Sequence, residues 1–148
     1  MTAPDIRPAR ATDRAGWLPL WQGYLAYYRH TLPAAQTDLT FARALDPAEP
    51  LHLVIAERDG ACLGFATYVL HRSTWAATCY CYLEDLFVAP AARGQGIATA
   101  LIAAVTQAAQ AAQAERLYWV TEAENTTAQK LYDRLATRSS YVQYRRPL

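Results

Sequence analysis

The segment from Tyr82 to Ala104, YLEDLFVAPAARGQGIATALIAA, decides the fold. Its apolar beginning, which includes two acids, predicts a strand that ends before Pro90, and a strongly helical stretch follows from Gly96. Between them, Gly94 and Gly96 allow a tight turn that presents main-chain amides at the N-terminus of the helix. A strand, a turn of free amides and a positive helix end together favour binding of a phosphate-bearing ligand.

The composition indicates a folded protein of ordinary size. The chain has 148 residues, of which 53% are hydrophobic and 18% charged, and its formal net charge is +1. These values predict one domain over residues 1–148 whose core needs neither a disulfide nor a metal. Because there is no basic excess, no run of lysine and arginine, no signal peptide and no apolar run of spanning length, we expect no nucleic-acid or membrane partner and a cytoplasmic location.

The cysteines and histidines do not form a recognisable metal motif. Cys79 and Cys81 are two residues apart, Cys62 is distant in sequence, and the histidines are scattered. Structural metal sites need several ligands at close spacing. We therefore expect no metal.

Hydrophobic periodicity and turn residues predict a mixed α/β fold with the order β-α-α-β-β-β-α-β-α-β. Strands are predicted at residues 5–9, 53–58, 62–71, 78–89, 116–121 and 140–145. The second and third form a hairpin because Asp59 and Gly60 are typical of its turn. Helices are predicted after Thr12, at residues 38–45 and 96–112, and after Asn125, which can cap the last one.

Three known phosphate-binding loops compete for the glycine-rich turn. A dinucleotide-binding loop needs a third small residue where Thr99 stands, and a P-loop needs Gly-Lys-Ser/Thr, which is absent. The segment Arg93-Gly94-Gln95-Gly96-Ile97-Ala98 instead matches the acyl-CoA loop, Arg/Gln-x-x-Gly-x-Gly/Ala. With the preceding strand at residues 83–88 and the later Asn125 and Tyr132, the sequence resembles the GNAT acetyltransferase superfamily, and within it the spermidine/spermine acetyltransferase type.

The resemblance implies both a fold and an activity. The fold would be a mixed, mostly antiparallel central sheet of about six to seven strands flanked by about four helices. The activity would be transfer of an acetyl group from acetyl-CoA to the primary amine of a small molecule, such as a polyamine, an amino acid or a related metabolite, in a homodimer. Two alternatives stay open: a non-catalytic acyl-CoA-binding or regulatory module, and a histone-like protein N-acetyltransferase.

The same resemblance implies how the cofactor is held. The loop would bind the pyrophosphate, and the main chain of the strand before it would bind the pantetheine arm. Asn125 would contact that arm as well as cap its helix. The implied cofactor-binding residues are Leu86, Phe87, Val88, Arg93, Gly94, Gln95, Gly96, Ile97, Ala98, Asn125 and Tyr132.

Two residues are candidates for proton transfer. The resemblance implies that Tyr132 protonates the thiolate of CoA, although the sequence pattern alone is also typical of a core tyrosine. Glu84 would assist deprotonation of the amine, directly or through water, and burial would raise its pKa towards a useful value. The alternative for Glu84 is a structural ion pair with Arg72.

Strand alternation predicts where the acids point. It places Glu84 on one face with Tyr80, Tyr82 and Leu86, and Asp85 on the opposite face.

The sequence indicates the residues of the acceptor site less clearly than those of the cofactor site. Aromatic side chains can bind a cationic amine, and the family lines this site with the first helices. We expect acceptor contacts from Tyr24, Tyr28, Trp75 and Glu84. Acids are sparse in the first helices, which weakens a strict polyamine assignment.

Overall fold

A five-stranded sheet forms the centre of the protein in the computed structural model, which describes residues 2–148. The strands are β1 (Asp5–Pro8), β2 (Leu51–Arg58), β3 (Ala61–His71), β4 (Tyr80–Val88) and β5 (Leu117–Tyr118). They lie side by side in chain order, and every neighbouring pair is antiparallel except the last, in which β5 runs parallel to β4. The predicted mixed, mostly antiparallel sheet is confirmed.

Four helices accompany the sheet, as predicted. They are α1 (Arg14–Tyr27), α2 (Ala34–Leu45), α3 (Ile97–Ala111) and α4 (Thr126–Leu135). Short 3₁₀ turns at Ala11–Asp13 and Pro90–Ala92 precede α1 and the glycine-rich loop. Within residues 2–148, no helix combines the length and the apolar character that crossing a membrane requires.

The sheet has a hydrophobic cluster on each face. On one face, Leu101 and Val105 of α3 are fully buried against the sheet. On the other, Trp17 of α1 is fully buried and stacks on Trp21, with ring centroids 5.4 Å apart. Coverage on both faces explains why β2 and β3 are almost continuously apolar instead of alternating.

The number of strands is lower than the six to seven that the resemblance implied. Only Leu117–Tyr118 of the predicted strand 116–121 pairs with β4, and the predicted strand at 140–145 forms no strand within the described part of the chain. Strand propensity reports how well side chains fit a pleated surface, whereas a strand also needs a partner for its main chain. The sequence pattern does not reveal that partner.

The predicted alternation along β4 is wrong at its centre. Thr67 of β3 lies opposite Asp85, and the next residue of β3 lies opposite Leu83, so Glu84 is the extra residue of a β-bulge. Beyond the bulge, Leu86 packs in the cluster on the α3 face instead of sharing a face with Glu84. Asp85 faces α1, because its carboxylate accepts a hydrogen bond from Tyr24.

Candidate active site

A cleft opens where β4 and β5 separate. The two strands pair only at Cys81 with Leu117 and at Tyr82 with Tyr118. From residue 83 to residue 88, this edge of β4 has no strand partner among residues 2–148. The cleft has a volume of about 1280 Å³. Its walls include Tyr24, Tyr28, Tyr82, Glu84, Asp85 and Tyr132.

The glycine-rich loop presents free main-chain amides beside the end of β4. Gly94 and Gly96 have φ values of 76° and 78°, in the left-handed region that favours glycine. The amides of residues 94–96 donate no main-chain hydrogen bond within the described residues, and the first-turn amides of α3 have no intrahelical partner. Gln95 is anchored from β2, because Nη1 of Arg58 donates to its Oε1 at 2.8 Å.

Arg93 joins this loop to the strand. Its Nε donates to the carbonyl of Val88 at 3.2 Å, and its guanidinium lies over the ring of Phe87, 5.4 Å from the centroid. A guanidinium has five N–H donors, so four remain for other partners. Arg93 is therefore placed to add a positive charge where the loop amides converge.

The bulge brings two carboxylates to the same cleft. Asp85 accepts hydrogen bonds from the hydroxyls of Thr67 and Tyr24. Burial raises the pKa of Asp85, while these two bonds oppose the rise. The pKa of Glu84 is also raised, first by desolvation and then by the negative charge of Asp85. Glu84 is solvent-exposed, so its proton can be exchanged with a ligand or with water.

Glu84 is not held in an ion pair. Among residues 2–148 it forms no salt bridge, and Arg72 instead donates to the carbonyl of Thr78 at 2.7 Å. The alternative of a structural pair between Glu84 and Arg72 is therefore wrong, because Arg72 secures the loop before β4.

Tyr24 of α1 and Tyr28, the residue that follows this helix, form one wall beside the carboxylates. The rings of Tyr24 and Tyr28 meet edge to face with centroids 5.1 Å apart, and Tyr24 also contacts Phe87 edge-on at 6.2 Å. Burial, followed by the charge of Asp85, raises the pKa of Tyr24. Its hydroxyl therefore stays protonated and acts as a donor throughout the physiological range.

Tyr132 reaches the cleft from α4. It is half-buried, and its ring packs edge-on against Trp119 with centroids 5.4 Å apart. Desolvation raises its pKa, and its hydroxyl has no hydrogen-bond partner within the described part of the chain. The start of α4 is fixed by Asn125, whose side chain accepts from the amide of Ala128 at 3.2 Å, so the predicted cap is confirmed.

The structure differs from the site predicted from the sequence at two residues, Trp75 and Asp85. Trp75 lies in the connection between β3 and β4, is 78% exposed and is not on the cleft wall, so the structure does not bring it to the acceptor side. Asp85, which strand alternation places on the opposite face from Glu84, is on the wall of the cleft. The adjacent acids Glu84 and Asp85 in the sequence indicate that Asp85 could be part of the site. The bulge that turns both acids towards one cleft, however, has no signature in the sequence.

No metal centre is present among residues 2–148, since no three histidine, cysteine, aspartate or glutamate side chains are grouped to hold an ion. The side chains that the cleft offers for chemistry include carboxylates, tyrosine hydroxyls and arginine guanidinium groups.

Comparison with known proteins gives consistent matches over most of the chain. A model of the acetyltransferase (GNAT) family matches residues 17–136. The chain is 32% identical over 143 residues to the D-amino-acid N-acetyltransferase of Saccharomyces cerevisiae, covering 95% of this chain and 89% of the yeast protein. It is 33% identical over 112 residues to the aminoglycoside N(6')-acetyltransferase type 1 of Klebsiella aerogenes, covering 70% and 68% of the two chains.

A solved structure matches the fold over its full length. The aminoglycoside acetyltransferase AAC(6')-Iy, in complex with the bisubstrate analogue CoA-S-monomethyl-acetylneamine, superposes with a TM-score of 0.85 at 26% identity. The match covers 99% of this chain and 100% of that chain.

Proposed function

The chain belongs to the GNAT acetyltransferase family, and on that premise we propose that it acetylates the amine of a small, amino-acid-like molecule. It is an N-acetyltransferase, and acetyl-CoA is its co-substrate. The observation that carries the proposal is the cleft itself, whose walls bring together two adjacent carboxylates, Tyr132 and charged side chains of both signs.

The loop and the edge of β4 are suited to hold acetyl-CoA. The free amides of residues 94–98 and the positive end of α3 would bind the pyrophosphate, with Arg93 adding a charge-assisted contact. The edge of β4 that faces away from β3 at Leu86–Val88 would bind the pantetheine arm as an added strand. Asn125, at the start of α4, would contact that arm.

The residues of the cleft supply the proton transfers. The bound co-substrate provides the acetyl group as a thioester, to whose carbonyl carbon the amine nitrogen forms its new bond as the bond to sulfur breaks. Glu84 accepts the proton that the ammonium must lose, directly or through one water, and its raised pKa suits this task. The hydroxyl of Tyr132 donates a proton to the departing sulfur. Main-chain amides of Leu86–Val88 stabilise the negative charge that develops on the acetyl oxygen.

The charges of the cleft favour an acceptor that carries both an ammonium and a carboxylate. Acids and arginines face the same space: Glu84, Asp85, Glu122, Asp133, Arg116, Arg138 and Arg145. A polycation such as a polyamine or an aminoglycoside would be attracted by the acids but repelled by the arginines. An amino acid satisfies both signs, and the yeast relative is named for acetylating D-amino acids.

Tyr24, Tyr28 and Glu84 are proposed to contact the acceptor amine. The negative faces of the tyrosine rings attract an ammonium, and both rings border the cleft beside the carboxylates. The homodimer that the resemblance implies and the cytoplasmic location expected from the sequence belong to the same proposal.

Free-thiol release from acetyl-CoA tests this function directly. The panel should contain L- and D-amino acids, the decarboxylated amine of each, a polyamine, an aminoglycoside and a basic peptide. We expect turnover with amino acids and a higher kcat/KM for each amino acid than for its decarboxylated amine. Tight CoA binding without turnover would favour the non-catalytic module, and turnover only with the peptide would favour a protein acetyltransferase.

The decarboxylated amines also test the charge argument by themselves. Equal kcat/KM for an amino acid and its amine would show that the arginines of the cleft do not recognise a carboxylate. As a matched variant, Arg116→Gln should raise KM for the amino acid while leaving KM for the amine unchanged. Arg116 lines the cleft with its guanidinium over the ring of Tyr80, 4.4 Å from the centroid.

A further inference from the structure

Two stacked tyrosines on the wall of the cleft have no part in the proton transfers. Tyr82 of β4 and Tyr118 of β5 lie opposite each other in the sheet, and their rings stack with centroids 5.0 Å apart. Both side chains are half-buried and both border the cleft, so each keeps surface that a ligand can cover. These two residues are called the tyrosine pair below.

The tyrosine pair is held in place from β3. The hydroxyl of Tyr118 lies 2.7 Å from Nε2 of His71, and Nδ1 of His71 donates to the carbonyl of Arg72 at 2.8 Å. The His71 ring also meets the ring of Tyr118 edge to face, with centroids 5.8 Å apart. Because these rings are already fixed, they lose little conformational freedom when a ligand packs on them, and this favours binding.

The tyrosine pair lies between Glu84 and an arginine of the cleft. Along β4, Tyr82 is two residues before Glu84 and two residues after Tyr80, over whose ring the guanidinium of Arg116 lies. Two residues of a strand span about 6.6 Å, so the pair separates Glu84 from Arg116 along the sheet. After burial, the charge of Glu84 is the next cause of the raised pKa of Tyr82, so these two side chains are within electrostatic reach.

This position fits the side chain of an amino acid. In the proposed function, the ammonium of the acceptor is at Glu84 and its carboxylate is turned towards the arginines of the cleft. An amino acid bound in this way lies beside the tyrosine pair, since the pair is on the same wall as Glu84 and Arg116.

The surroundings of the tyrosine pair favour an aromatic side chain over a cationic one. Aromatic rings attract one another in offset-stacked and edge-to-face arrangements, and this attraction adds to the effect of the area that they bury. A tyrosine ring also attracts cations, but Arg116, Arg138 and Arg145 border the same cleft and repel a second positive charge on the acceptor.

We propose that the tyrosine pair binds the side chain of the acceptor, and that the preferred acceptor is an amino acid with an aromatic side chain. This assignment rests on the proposed function, which supplies the amino-acid acceptor, and it names the substrate class within that function. Tyr82 and Tyr118 determine specificity in it, because they contact the substrate without transferring a proton.

A series of amino acids tests this assignment on the unmodified protein. Free-thiol release from acetyl-CoA should be measured with alanine, phenylalanine, cyclohexylalanine and arginine, each in both configurations. We expect kcat/KM for phenylalanine to exceed that for alanine by about tenfold or more, because the ring is buried on the tyrosine pair. It should exceed that for cyclohexylalanine, which has a similar size but no aromatic ring, by roughly 2- to 10-fold.

The outcomes distinguish this assignment from the proposed function. Equal kcat/KM for alanine and phenylalanine would overturn the assignment and leave the proposed function standing. The same holds if cyclohexylalanine or arginine is as good a substrate as phenylalanine. If no amino acid is acetylated, the proposed function is wrong and the assignment is overturned with it.

Variants of Tyr118 connect the preference to the tyrosine pair. Tyr118→Leu removes one ring and should reduce the phenylalanine-to-alanine ratio of kcat/KM by roughly 2- to 10-fold. Tyr118→Phe keeps the ring, loses only the hydrogen bond to His71, and should retain the ratio. Tyr144→Leu, at an exposed tyrosine that is not on the cleft wall, is the matched control and should also retain it.

The ratio is independent of any loss of activity that both substrates share, and circular dichroism confirms that each variant is folded. An unchanged ratio in folded Tyr118→Leu would overturn the assignment. A ratio that falls as far in Tyr118→Phe as in Tyr118→Leu would also overturn it, because the hydroxyl and not the ring would then be the cause.

Discussion

The hydroxyl of Tyr24 on α1 donates a hydrogen bond to the carboxylate of Asp85 on β4. The bond connects the first helix to the bulged part of the strand that carries Glu84. Because Asp85 raises the pKa of Glu84, a contact with α1 adjusts the electrostatics of the residue that is proposed to accept the proton. Glu84, Asp85 and Tyr24 therefore form one electrostatically coupled group.

The pH profile of Asp85→Asn tests this relationship. Activity should fall as the pH drops through the pKa of Glu84, because a protonated carboxyl cannot accept the proton of the amine. Removing the negative charge of Asp85 removes one cause of the raised pKa of Glu84, so the acidic limb of the kcat/KM profile should move to lower pH.

The comparison variant for that pH profile is Glu84→Gln. This substitution should abolish the acidic limb and lower kcat/KM over the whole pH range. A limb that moves to higher pH in Asp85→Asn, or one that survives in Glu84→Gln, would show that another group is the base.

Tyr132→Phe should lower kcat by about 10²-fold or more and leave the affinity for CoA unchanged, because it removes only the proton donor for the sulfur. Stopped-flow thiol release and isothermal titration with CoA provide the two readouts. Tyr68→Phe is the matched control, since Tyr68 is a buried tyrosine that stacks on His52 away from the cleft. A kcat close to that of the unmodified chain in Tyr132→Phe would rule out the assigned acid.

A comparison of Gly96→Ala with Gly60→Ala distinguishes the effect of backbone strain on stability from an effect on ligand binding. Both glycines have φ of 78°, and an added Cβ would meet nothing within 4 Å at either site. Each substitution should therefore reduce the free energy of unfolding by about 1–2 kcal/mol through the left-handed conformation alone. Only Gly96→Ala should also weaken CoA binding, because its loop amides must shift. Equal CoA affinities in the two variants would show that the loop is not part of the cofactor site.

Asp13→Asn should destabilise the fold by about 1.5–3 kcal/mol at neutral pH, since Asp13 is a largely buried partner of Arg7. The hydrogen bond from Arg7 holds the pKa of Asp13 below its ordinary value of 3.8. The stabilisation is therefore complete above that ordinary value and is lost as the pH falls through the lower folded pKa. Urea unfolding of both chains at decreasing pH should show the difference between them disappearing in strong acid.

The control for that experiment is Asp38→Asn. Asp38 pairs with Arg14, but both side chains are well exposed, so the loss should stay below about 1 kcal/mol. A loss as large as that of Asp13→Asn would mean that burial does not explain the difference.

Features set by neighbouring residues were predictable from the sequence. The Asp59-Gly60 turn, the start of α3 after Gly96 and the cap at Asn125 all appear where local signals place them. In each case the backbone conformation or the hydrogen bond involves residues within a few positions of one another. The acyl-CoA loop belongs to the same class, because its six residues are consecutive, and together with the strand before it, Asn125 and Tyr132 their pattern indicates the family.

Features set by distant pairing were decided only by the tertiary structure. The bulge that turns Glu84 and Asp85 into one cleft depends on the register between β3 and β4, and the short pairing of β5 depends on how far it stays beside β4. The placement of Trp75 outside the cleft depends on the path of the loop before β4. Neighbouring residues determine the local conformations of the chain. The register and the separation of the strands are instead those that minimise the energy of the whole sheet, and so no short stretch of sequence specifies them.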